Sequence, residues 1–154
     1  MDNFWEQLLS ELADRGYDLG WDREVAYFLS KVTNQDTGQV YPCDTCITVR
    51  DISGLLPEDR SQYVFFVTFI CHGMKGKGAE IFNETVDRMS YNSDIGKFVR
   101  DYTDESNDVL YVTNECLADL TAEIVIGQLE YHAKVKLKVA PVLEQLRKHI
   151  LEEQ

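Results

Sequence analysis

Eight consecutive residues, Tyr63-Val64-Phe65-Phe66-Val67-Thr68-Phe69-Ile70, constrain this chain more than any other segment. Their β-branched and aromatic side chains predict a strand. Side chains alternate across a strand, so Tyr63, Phe65, Val67 and Phe69 share one face, while Val64, Phe66 and Ile70 share the other. Both faces are apolar. Such a strand needs cover on both sides, from helices, a further layer or a second copy of the chain. A chain of 154 residues is the size of one domain. It can bury about two-thirds of its unfolded surface, enough for one sizeable core.

The flanking segments set the fold class. An amphipathic first helix carries Trp5, Leu8, Leu9 and Leu12 on one stripe, with Asn3 and Glu6 spaced as a capping box and Gly16 placed for a left-handed C-cap. Val25–Leu29 and Cys46–Arg50 read as strands, and Asn34-Gln35-Asp36-Thr37-Gly38 has strong turn chemistry. The stretch from Gly54 to Ser61, with Pro57, reads as a connecting loop. After the glycine-rich turn at 73–78, a helix is expected from Ala79 to about Tyr91, with Phe82, Val86 and Met89 on one face. Two strands follow at 96–102 and 109–113, joined by a polar hairpin loop. Thr121 is placed to cap a terminal helix carrying Ile124, Leu129, Ala133, Leu137, Ala140, Leu143, Leu146 and Ile150. Pro141 either kinks that helix or starts a new one, and the alternation over 134–139 leaves a short strand open there. The expected fold is α+β, a single domain over 1–154, with a mainly antiparallel sheet of about five strands in the order α-β-β-β-α-β-β-α.

That element order, with Met89-Ser90-Tyr91-Asn92-Ser93-Asp94-Ile95-Gly96-Lys97-Phe98-Val99 leading from a helix through Ile-Gly into a strand, resembles the type III secretion chaperone-like fold and its YbjN-type relatives. The Leu120-Thr121 opening of a long terminal helix fits the same pattern. The resemblance implies a small acidic homodimer that binds another protein without catalysing a reaction. It also implies that strand faces and the middle helix supply the contacts. The lysines at 134–138 and the pair Cys43/Cys46 depart from that pattern.

Chemistry is sparse in the chain. Net charge is −12, from 15 Lys+Arg against 27 Asp+Glu. Such a surface repels phosphate backbones and anionic headgroups, so neither nucleic acid nor membrane is an expected partner. The acidic start Met1-Asp2-Asn3-Phe4-Trp5-Glu6 lacks a signal-peptide pattern, and four scattered cysteines do not suit a disulfide scaffold, which together suggest a cytoplasmic setting. Cys43-Asp44-Thr45-Cys46 has redox spacing but no surrounding βαβ pattern, and Cys43, Cys46, Cys71 and His72 would complete a tetrahedral zinc set only if the fold brought them together. His132, beside Lys134, reads as a surface residue. His149 suits a helix C-terminus, and Lys134, Lys136, Lys138, Arg147 and Lys148 read as a basic face.

No catalytic residue and no cofactor is expected. The leading expectation is a non-enzymatic protein-interaction module, chaperone-like or regulatory, acting as a homodimer. Its interface is expected on Tyr63, Phe65, Val67, Phe82, Val86 and Met89. A zinc- or redox-dependent regulator using Cys43 and Cys46, and an acidic nucleic-acid mimic, are the alternatives.

Overall fold

The doubly apolar segment forms the longest strand among the described residues and lies inside a six-stranded antiparallel sheet. The computed structural model describes residues 2–51, 62–101, 103 and 106–153. In chain order the elements are α1 (Asp2–Asp14), β1 (Leu19–Asp22), β2 (Val25–Phe28), β3 (Lys31–Thr33), β4 (Val40–Pro42), β5 (Thr45–Asp51), β6 (Gln62–Cys71), α2 (Ala79–Asn92), β7 (Lys97–Asp101), β8 (Asp108–Cys116) and α3 (Ala122–Glu152). The main sheet runs β1-β2-β5-β6-β8-β7, and β3 and β4 pair as a separate hairpin. The fold is therefore α+β with three helices, as the sequence suggested, with more strands than the five expected.

The additional strands are β1, β3 and β4, each of three or four residues. The turn chemistry at 34–38 closes the small hairpin, where the Asn34 side chain accepts from the Asp36 and Thr37 amides. α1 begins at Asp2, so Asn3 lies inside its first turn rather than before it. Gly16 does adopt the left-handed conformation, at φ +98°. The loop expected at 54–61 and part of the 103–108 hairpin loop lie outside the described residues.

α3 is one unbroken helix of 31 residues through Pro141, with Thr121 Oγ1 accepting from the Ile124 amide at its start. Residues 134–139 are helical. Pro141 removes one backbone donor, yet packing at both ends of the helix holds it together. Ala122 and Val125 join Trp5, Leu8, Leu9 and Leu12 of α1 in one apolar core under β2, β5 and β6. Ala140, Leu143 and Ile150 join Phe82 and Val86 of α2 in a second core against Ile70, Val109 and Tyr111.

All three helices thus pack on one face of the sheet. Cross-strand register assigns that face: Ala26, Ile47, Phe66 and Thr113 form one row, and Phe28, Thr45, Thr68, Tyr111 and Phe98 the next. The Ile95-Gly96 turn entering β7 is shaped by the same packing. Gly96 sits at φ +70°, and a Cβ there would meet the Tyr111 hydroxyl at 2.6 Å, so only glycine fits.

Two adjacent residues of α3 test this placement. Leu143 is wholly buried, whereas Val142 is 59% exposed. Leu143→Ala is expected to cost about 2–5 kcal/mol in urea unfolding, and Val142→Ala no more than about 0.5 kcal/mol.

Candidate functional site

Between the two apolar cores, α3 meets the sheet through polar side chains. His132 is 0% exposed, and both ring nitrogens are bonded. Its Nδ1 lies 2.7 Å from Thr68 Oγ1 and its Nε2 lies 2.7 Å from Thr113 Oγ1. Thr68 Oγ1 is 2.7 Å from Thr45 Oγ1. At the other end, Thr113 Oγ1 donates to Gln128 Oε1 at 2.7 Å, and Gln128 Nε2 donates to Glu115 Oε1 at 2.8 Å. Thr45, Thr68 and Thr113 are themselves buried. The line runs from β5 through β6 and α3 to β8.

Donor arithmetic gives this line a single direction. Thr113 has one hydroxyl proton and spends it on Gln128, so it can only accept from His132 Nε2. Burial pushes the His132 imidazolium pKa down to about 4, which leaves the ring neutral near pH 7. A neutral ring with its proton on Nε2 must accept at Nδ1, and Thr68 is the donor there. Thr68 therefore accepts from Thr45, whose own proton is then spent. Thr45 Oγ1 is left with lone pairs and no proton to give.

One helical turn further, Lys136 is 3% exposed. Its ammonium donates to the Phe69 carbonyl at 2.6 Å and stands 4.8 Å from the centre of the Phe69 ring. The β5–β6 ladder ends at Thr45–Thr68, one residue before that carbonyl. Burial holds the Lys136 pKa below its ordinary range. The basic face expected on this helix is accordingly broken: Lys136 is inside, Arg147 reaches in to the Gly73 carbonyl, and Lys134, Lys138 and Lys148 are exposed. His132 is the other correction, a core residue where a surface one was expected. Both burials follow one stripe, 132-136-140-143, whose two polar members apolar periodicity does not mark.

The four residues of the zinc set separate. Cys43 and Cys71 are buried, Cys46 is half-buried, and His72 is exposed beside Asp108. Among the described residues no three of His, Cys, Asp or Glu gather around one point. Burial pushes the Cys43 thiol up, and that of Cys71 up to about 12, the reverse of an activated thiolate. His149 is exposed in the last turn of α3, facing Glu153.

The other sheet face carries Tyr63, Phe65, Val67 and Phe69, none of which joins either apolar core. Their cross-strand neighbours form rows: Tyr27, Cys46, Val67, Val112 and Lys97; Val25, Thr48, Phe65 and Asn114; Phe69, Leu110 and Val99. The remaining row is Arg50, Tyr63 and Cys116, so Lys97, on the edge strand, and Arg50, near the end of β5, are the formal charges in these rows. Carboxylates stand at the margins, with Asp22 opposite Val25 and Asp101 opposite Asp108. The expected interface residues therefore divide. Tyr63, Phe65 and Val67 are half-buried on this face, which no helix of the described residues covers, while Phe82 and Val86 are sealed inside the monomer and Met89 packs against the same core. The middle helix covers the same face as α3, because its apolar stripe meets Ile70 and Tyr111.

A cleft of about 270 Å³ opens beside Thr45. Tyr17, Phe28, Leu29 and Leu129 form its apolar walls, and Asp18 is the one formal charge in its lining. No helix of the described residues is long and apolar enough to cross a membrane. No family model matches the chain, and neither a curated protein nor a solved structure matches it.

The neutral His132 ties stability to pH. Unfolded, an imidazole takes up its proton near about pH 6.5. Folded, His132 does so only near 4. Between those values the unfolded chain holds a proton that the native chain refuses, so stability is full above the window and falls as pH drops through it. The expected loss is on the order of 3 kcal/mol. Urea unfolding at pH 7 and pH 4.5 checks this against His132→Gln, which should lose less stability over the same interval because its amide does not titrate.

Proposed function

We propose that this protein is a non-enzymatic interaction module, chaperone-like or regulatory, that works as a homodimer through its open sheet face. The observation that carries this reading is the row structure of that face. Aromatic and branched side chains occupy its centre, neither core uses them, and its carboxylates are confined to its edges. Exposed apolar surface of this kind marks protein contact sites.

A second copy is the occupant that the charge pattern favours. Two molecules each carrying −12 repel over most of their surfaces. They can meet through a face whose interior holds no carboxylate. A two-fold axis would then stack Phe65 and Val67 of one copy on the same strands of the other, about 10 Å apart, as in a sheet-on-sheet core.

Sedimentation of the full chain at micromolar concentration tests this. The expected mass is twice 17.7 kDa. Val67→Asp should leave a folded monomer, since the new carboxylate is solvated once the copies part. Phe82→Asp should instead unfold the chain, because that side chain is wholly buried. A parent protein that sediments as a monomer, or a Val67→Asp variant that stays dimeric, would overturn the assignment.

A further inference from the structure

We propose that the cleft beside Thr45 is a binding site for a small, largely apolar molecule bearing one hydroxyl or N–H group, which it donates to Thr45 Oγ1. Size sets the first limit. A volume of about 270 Å³ is the space of roughly nine waters at the ~30 Å³ that each occupies, enough for a small ring system. The walls set the second. Tyr17, Phe28, Leu29 and Leu129 present apolar surface, and the single charge in the lining is the carboxylate of Asp18, which disfavours anions.

The decisive limit is the direction of hydrogen bonding. Thr45 has given its proton to Thr68, in a sequence fixed through His132 and Thr113 by the Gln128 side chain. A ligand that reaches Thr45 Oγ1 from the cleft therefore meets an acceptor. Three backbone donors around the cleft are spent as well. The Leu29 amide bonds the Asp18 carbonyl, the Ser30 amide bonds Asp44 Oδ1, and the Cys43 amide bonds the Ser30 carbonyl. The hydroxyls of Tyr17 and Ser30 can act either way. A ligand that only accepts finds few partners here, whereas one that donates finds an oriented oxygen at the end of a buried chain. Small phenols and indoles fit these limits.

Indole and benzofuran test this, because they match in size and shape and differ in the N–H. Each is titrated into the ¹⁵N-labelled full chain, and the amides of Tyr17, Leu29 and Cys43 are followed. Indole is expected to shift all three and to bind at least about tenfold more tightly than benzofuran, the worth of one well-placed hydrogen bond. In Thr45→Val, which keeps the shape of the side chain, the preference should vanish. If neither probe moves those amides at millimolar concentration, the cleft is a packing gap. If benzofuran binds the unmodified protein as well as indole does, Thr45 is not the acceptor. Either result overturns the proposal without recourse to the variant.

Discussion

Everything in this fold is referred to the line Thr45–Thr68–His132–Thr113–Gln128–Glu115, which ties α3 to the sheet between two apolar cores. Apolar packing is tolerant of small slips, but a buried imidazole with both nitrogens engaged is not. Moving α3 along the sheet would strand His132 and two threonine hydroxyls, at about 1–3 kcal/mol for each unsatisfied group. The line therefore sets the position of the helix, and the helix in turn joins the core under α1 to the core under α2. Tyr111 adds to the clamp: its ring meets the His132 ring edge-on at 4.8 Å, and its hydroxyl bonds the Ile95 carbonyl at the turn into β7.

Placing all three helices on one face has a cost on the other. The open face keeps a strand pattern suited to burial, yet within the described residues its side chains belong to neither core. The protein separates two demands across one sheet. One face is satisfied within the chain, by apolar cores and a closed polar line. The opposite face keeps its apolar surface and holds its charges at the margins, which is the arrangement an interface between like-charged copies requires.

Much of this was legible in the sequence. Alternation in 63–70 placed β6 and divided its faces, the turn residues at 34–38 marked a reversal, and Thr121 marked the start of α3. Strands of three or four residues, such as β1 and β3, are too short to show a period. The polar line is hidden in the sequence because His132 and Lys136 sit in a stripe defined by position, and apolar periodicity does not mark polar side chains. A signal was nevertheless present. Thr68 is the one buried polar residue of β6, and a hydroxyl there calls for a partner from whatever packs above it. The burial of Phe82 and Val86 within the monomer was hidden for a related reason: a helix stripe does not reveal which face of a sheet it will cover.

The central claim is that buried hydrogen bonds fix both the position of α3 and the direction of every proton along the line. The tautomer of His132 tests it most directly. Long-range ¹H–¹⁵N correlation of the imidazole rings at pH 7 should show His132 neutral, with its proton on Nε2 and a bare Nδ1, and unchanged at pH 5.5, where an ordinary histidine is largely charged. A proton on Nδ1, or a charged ring at pH 5.5, would contradict the account.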